Sequence, residues 1–275
     1  MMRGMFAAIS GLKQHQTMLD VTANDIANVN TIGYKSARTT FQDSLTQLQR
    51  GAAGATANNG GANAAQIGLG VGLASVDNLM GSGALQTTGN PLDVAIQGDG
   101  FFELAQGTPT GTLTPAFYTR AGNFTLNSAG YLVSQEGYYV VGTPAAGGAA
   151  TGIKIPSGAT GVAIDQNGGV SYIDPATNTR TTAFTLQLST FSNQAGLERA
   201  GGNRWKTSAN SGTALTGAPG SPGFGSTTAG AIEMSNVDLA QTFTNMITAQ
   251  RGFQANSRVI STSDEMLQDL VNLKR

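Results

Sequence analysis

The sequence contains no cysteine, one histidine and one tryptophan. Without cysteine there is no disulfide framework and no thiolate metal site. A single histidine, His15 in the polar stretch "KQHQ", leaves most catalytic triads and most zinc sites without ligands, and a solvated helix face is its expected place. Charge is scarce too: Asp, Glu, Lys and Arg make up 11% of 275 residues and sum to −1, against about a quarter of an ordinary soluble domain. That balance gives no electrostatic case for nucleic acid, which requires clustered Lys and Arg. No stretch approaches the roughly 18 apolar residues of a membrane span, so no membrane insertion is expected. The nearest thing to a signal peptide is "GMFAAISGL" at 4–12, broken by Ser10 and Gly11 and followed by no small-x-small cleavage site. Export, on this reading, uses a route that leaves this end uncleaved.

What is present is glycine, 38 residues, and a hydrophobic content of 40%, enough for a sizeable core. Near the start, Ile9, Leu12, Leu19 and Ile26 alternate at spacings of three and four with Ala23 between, as does the seam of a helix that packs on another helix. Near the end, Leu239, Phe243, Met246, Phe253, Ile260 and Leu267 repeat the rhythm, after a capping-box-like "SNVD" at 235–238. The two ends are therefore expected to pair. Further apolar residues, among them Phe6, Met18, Val21, Ile247, Val259, Met266, Leu270 and Leu273, form partial stripes that one partner helix cannot cover.

Between the ends the period changes to that of strands. "PLDVAIQGDGFFELA" has a β-rich run on each side of its Gly-Asp-Gly turn, and hairpins are expected about turns at 127–130 and 167–169. "AFTLQLSTF" is a further strand. The fold class is α+β: paired terminal helices, coiled-coil-like, bracketing a mainly β body. The expected division is a helical part at 1–30 and 236–275, a connecting segment at 31–75 and 225–235, and a β part at 76–224. Two low-complexity stretches, 50–65 and 211–230, read as linkers or as loops that order against neighbours.

Catalytic constellations are thin. "GLGVG" at 68–72 lacks the spacing and context of a dinucleotide loop and reads as a turn. Asp93, Asp99, Glu103, Glu136, Asp165 and Asp174 mostly sit beside Gly, Asn or Pro, where acids form turns. No enzyme activity, cofactor or metal is expected. Trp205 reads as a packing anchor; were the chain a secreted sugar-binding module, ligand would bind around Trp205 or the aromatic run Tyr138 and Tyr139.

Several stretches carry a resemblance. "SGLKQHQTMLDVTANDIANVNTIGYKSARTTFQD" at 10–43 resembles the amino-terminal signature of the bacterial flagellar rod and hook proteins, in which Ala-Asn-Asn-Ile-Ala-Asn-x-Asn-Thr-x-Gly-Phe-Lys is typical; here Asp25 replaces the second Asn and Tyr34 the Phe. "DVAIQGDGFFEL", "YTRAGNFTLNSAGYLVSQEGYYV" and the tail from "EMSNVDLAQTF" match in the family's order. Within the family the ending "MLQDLVNLKR" favours the short type of hook protein, with a distal rod subunit as the alternative.

The resemblance implies a subunit that polymerises with itself into a hollow helical tube. As a hook, that tube would bend while transmitting torque from rod to filament. The resemblance also implies partners: the distal rod, the hook cap, the hook-filament junction proteins and the flagellar type III export apparatus, which passes subunits uncleaved. The composition of 24–33 fits a fixed exit from the first helix. Asn24 and Asn28 lie one turn apart, Asn28, Asn30 and Thr31 compete for backbone hydrogen bonds, and Gly33 can take a positive φ. Phe41 with Leu45 fits the family's export-gate pattern. Two helices alone bury little, so terminal helices that order on polymerisation, beside a folded body, are the expectation.

Overall fold

The computed structural model describes residues 2–55, 60–111, 113–175 and 177–273, without the side chains of Met2 and Leu270. The middle of the Gly/Ala-rich stretch, the Leu270 side chain and the last two residues of the expected helical end lie outside what is described. The chain forms two compact units, one of 1–27, 37–78 and 238–275, the other of 28–36 and 79–237.

In the first unit, α1 (Met2–Ala27) and α2 (Leu239–Asn272) carry no proline to interrupt them. Asp238 caps α2, its carboxylate accepting from the backbone N–H of Ala240 at 2.9 Å and Gln241 at 3.2 Å, so the last residue of "SNVD" satisfies donors that the first turn cannot. The helices run antiparallel. Asn256 packs on Gly11, where a Cβ would sit 2.8 Å from the amide, and four residues along α1, His15 packs on Gly252, where a Cβ would sit 2.5 Å from the ring.

The helices thus pair, but not along the expected seam. Buried positions are Ala8, Thr22 and Asp25 on α1 and Thr242, Ala249 and Ser263 on α2. Small side chains let the backbones approach, and that closeness leaves no room between them for Ile9, Leu12, Leu19, Ile26, Phe243, Met246, Phe253, Ile260 and Leu267. Those side chains splay to the flanks, half-buried or exposed. The buried hydroxyls cost little because each bonds its own helix: Thr22 to the Met18 carbonyl, Thr242 to Asp238 and Ser263 to Val259, at 2.6–2.7 Å.

The same unit holds two antiparallel strand pairs in what reads from sequence as a connecting segment. Ala37–Asp43 pairs with Val71–Asn78 through a bulge at Thr40/Phe41, and Thr46–Arg50 pairs with Ala65–Gly68. "GLGVG" is the turn between Ala65–Gly68 and Val71–Asn78.

The second unit is the β body. Its largest sheet contains Phe101–Ala105, bonded to Pro115–Thr119, Tyr139–Pro144 and Leu188–Thr190. Every residue of this strand is buried. Phe102, Leu104, Phe124, Leu132, Val140 and Leu186 form one core on one face; Phe101, Tyr118, Phe191, Leu197 and Trp205 form another. The expected hairpins are present, as Thr125–Leu126 with Leu132–Val133 and Thr160–Ile164 with Gly169–Ile173. The Gly-rich stretch 211–230 is ordered within its own chain: Leu215–Gly217 pairs with Leu188–Thr190 and Ser226–Ala229 with Val94–Gln97.

Candidate assembly surface

The helical unit exposes large apolar side chains that its two helices leave uncovered. Phe6 is 62% exposed, Phe243 49% and Ile247 52%, while Val259, Met266 and Leu273 are exposed farther along α2. Isolated exposed leucines are ordinary, but these recur along helices whose seam is already filled, which makes them a candidate contact surface. The ribbon of Thr46–Arg50 and Ala65–Gly68 adds Leu48 and Ile67, and Leu45 just before it is 77% exposed. A two-stranded ribbon with no core of its own is marginal in water.

The chain leaves α1 through a turn in which Thr31 donates its N–H to the Asn28 carbonyl and its hydroxyl to the Asn28 side chain, both at 3.1 Å. Asn24 and Asn30 are exposed beside it. Gly33 has φ +68°, and a Cβ there would lie 2.6 Å from the Ala121 nitrogen, so conformation and space both exclude a side chain. Its own N–H donates to the Glu233 carbonyl at 2.8 Å. α1 ends at Ala27, and the chain reaches the positive φ of Gly33 six residues later. One signal residue does more than expected: buried Asp25 accepts from the Ala37 N–H at 3.2 Å through both oxygens, tying α1 to the strand Ala37–Asp43.

The exit leads into a buried ion cluster in the body. Lys35 and Glu233, 198 residues apart, meet at 2.6 Å with both side chains wholly buried. The other Glu233 oxygen receives Arg120 at 3.4 Å, and Gly83 N–H donates to the first at 2.8 Å. Burial pushes the Lys35 ammonium below its ordinary range, and Glu233 partly restores it; Arg120 is lowered by the same desolvation and supported by Glu233 and Asp99. Arg199 closes the site, donating to the Lys35 carbonyl at 2.5 Å with its guanidinium over the Tyr34 ring. Asn236 accepts from the Ser36 N–H at 2.7 Å and donates to the Leu79 carbonyl at 2.8 Å. The two connectors, 28–36 and 230–237, are thereby locked to the body.

Three family models match the chain: "Flagella basal body rod protein" over residues 5–35, "Flagellar hook protein FlgE/F/G D1 domain" over 95–172 and "Flagellar basal body rod FlgEFG protein C-terminal" over 228–273. The chain is similar to the flagellar basal-body rod protein FlgG of Bacillus subtilis, 46% identical with all of both chains covered. The rod protein FlgG of Caulobacter vibrioides is 38% identical, with 99% of this chain and 100% of the relative covered. This chain belongs to the flagellar rod and hook protein family. The hook protein FlgE of Borreliella burgdorferi is also similar, at 26% identity across an alignment of 447 residues covering all of both chains.

The protein is thus a structural, axial component of the flagellar basal body, and several of the groups weighed as catalytic have structural explanations. Trp205 is buried in the second core beneath Arg199 and presents no sugar platform; Tyr138 lies under Arg204, which pairs with Glu136 at 2.8 Å. Asp93 is bonded to Thr88 and Asn90 in a turn. Glu103 is fully buried; one oxygen accepts from the Ser189 hydroxyl, and the other has no partner among the described residues. Burial raises its carboxyl above the usual range, and this acid in turn raises the Tyr118 phenol, itself chiefly raised by burial. His15 corrects its expected solvated position: it lies on the helix seam, edge-on to Phe41 with ring centroids 6.0 Å apart. Phe41 is exposed on its other side, as is Leu45. No helix among the described residues is long and apolar enough to cross a membrane.

Proposed function

We propose that this axial protein is a distal rod subunit, self-assembling into a hollow helical tube within the basal body. The observation that carries self-assembly is the apolar flank of α1 and α2, left open after their own seam is filled. Support for rod over hook comes from length and identity together. Relatives at 46% and 38% identity, matched end to end over 275–276 residues, are named rod proteins, whereas the hook relative needs a 447-residue alignment at 26%. The hook assignment read from "MLQDLVNLKR" yields to its alternative.

On this reading the helices pair within one chain through their small seam, and polymerisation adds the flanks: Leu12, Leu19, Phe243, Phe253 and their neighbours become the shared lining among copies. Phe41 and Leu45, both accessible, serve as the export-gate pair for the flagellar export apparatus. Electron microscopy of the concentrated protein tests the proposal. Tubes are expected from the native chain, straight for a rod and curved for a hook. Leu12→Asp and Phe253→Asp leave a folded body that forms no tubes; normal tubes from either variant would overturn the assignment of the flanks.

A further inference from the structure

The two connectors meet at three side chains whose chemistry goes beyond ion pairing. Lys35 Nζ donates to Glu233 at 2.6 Å and to the Gly81 carbonyl at 2.9 Å. The Asn236 amide nitrogen donates to that same carbonyl at 3.1 Å and to the Leu79 carbonyl at 2.8 Å. An amine and a carboxamide are thus held against one acceptor, with a carboxylate bonded to the amine. The backbone keeps them there: on either side of Lys35, the Tyr34 carbonyl accepts from the Asn236 N–H at 3.4 Å, and the Ser36 N–H donates to Asn236 Oδ1 at 2.7 Å.

We propose that Lys35 and Asn236 form an intramolecular isopeptide bond, with Glu233 as the proton carrier. A lysine attacks only as the neutral amine, and a buried lysine reaches that form most readily. The Lys35 side chain is wholly buried, and desolvation holds its ammonium below the ordinary range. Neighbours fixed in place also react as though highly concentrated.

The step balances within the three residues. Nζ gives one proton to Glu233 and attacks Asn236 Cγ. The negative charge that develops on Oδ1 falls where the Ser36 N–H already donates, as stabilisation of an oxyanion requires. Glu233 passes its proton to Nδ2 and takes a second from Nζ, and the Cγ–Nδ2 bond breaks. The departing nitrogen collects that second proton, so the charge of Lys35 leaves as ammonium and Glu233 returns to its carboxylate beside Arg120. One C–N bond forms as one breaks, and nothing is oxidised or reduced. The ion pair holds the amine charged most of the time, so a fresh chain is unlinked and the bond accumulates with age. In a chain without cysteine, it closes the β body into a covalent ring where both connectors enter.

The test is a mass measurement on the folded full chain, kept dilute at mildly alkaline pH, sampled over days and then denatured. The bond removes the mass of one ammonia. An asparagine that merely cyclises on itself loses the same mass, so a tryptic map decides. The aged native chain should yield a branched peptide joining residues 14–38 to 207–251, with Lys35 uncleaved. That species should be at least tenfold scarcer in Glu233→Gln, and absent from Lys35→Arg, which keeps the charge without the nucleophile. It should also be absent from native chain aged in urea. No branched peptide from the folded native chain, or equal yields in Glu233→Gln or in urea, overturns the proposal. Should Glu233→Gln fail to fold, the native chain decides: a bond formed only in the folded state sustains the proposal, and one formed equally in urea, or not at all, refutes it. The measurement needs no polymer, so its failure leaves the rod reading untouched.

Discussion

Replacing Glu233 with glutamine changes one oxygen in the buried cluster and nothing of its shape, yet it removes the carboxylate that both Lys35 and Arg120 pair with. Lys35 and Arg120 would then face each other's charge in a site where both side chains are buried, and one face of the new amide would present N–H groups to cationic donors. Breaking a buried pair by removing one partner costs about 3–5 kcal/mol, and leaving two cations unpaired puts Glu233→Gln at the upper end, about 4 kcal/mol. Lys35→Met is milder, about 2–3 kcal/mol, because Glu233 keeps Arg120 at 3.4 Å and the Gly83 N–H at 2.8 Å. Arg120→Met should cost least, under about 1.5 kcal/mol: it leaves the neutral Lys35–Glu233 pair intact and removes an Nε that has no partner among the described residues. Urea unfolding followed by the fluorescence of Trp205, the sole tryptophan and buried in the same body, reads all three. At a slope of about 2–3 kcal/mol/M the glutamine variant should lose about 1.5 M in midpoint. Equal losses in the three variants, or a larger loss for Arg120→Met than for Glu233→Gln, would refute the charge accounting.

Two other outcomes follow from the body. Burial raises the Glu103 carboxyl above the 4.5 of the free acid, so the folded body holds this proton more tightly than the unfolded chain. The contribution is fully present below about pH 4.5 and is lost as pH rises through the raised folded value. The native Trp205 midpoint should therefore decline relative to Glu103→Gln as pH rises from 4.5; parallel profiles sink the assignment. Gly33→Ala forces a side chain into φ +68° and against the Ala121 nitrogen, and should cost more than about 2 kcal/mol by the same assay; an unchanged midpoint would show that the connector is not held there.

The periodic parts of the fold were legible. Helices with spacings of three and four and hairpins whose turns begin with Asn and contain Gly carry their periods within ten or twenty residues. The Gly33 turn was legible as well, since its demand is local. The seam was not. Apolar spacing marks which face of a helix is greasy, but Gly11 and Gly252 decide where two helices come closest, and the side chains that looked like the seam were displaced to its sides. His15 was misplaced for the same reason, its polar neighbours in sequence not being its neighbours in space. The strand pairs at 37–78 lacked the alternation of a half-buried sheet because most of their side chains are exposed. The Lys35–Glu233–Arg120 cluster was invisible because no local pattern announces partners 198 residues apart.

That separation also sets an order of events. A chain emerging from its amino end presents Lys35 early and Glu233 only after five-sixths of its length has appeared, together with the strand Ala231–Glu233 that bonds Leu85–Thr87. Until then Lys35 lacks the carboxylate it meets in the folded chain and Leu85–Thr87 lacks its partner strand, so this junction is among the last parts of the body that can close.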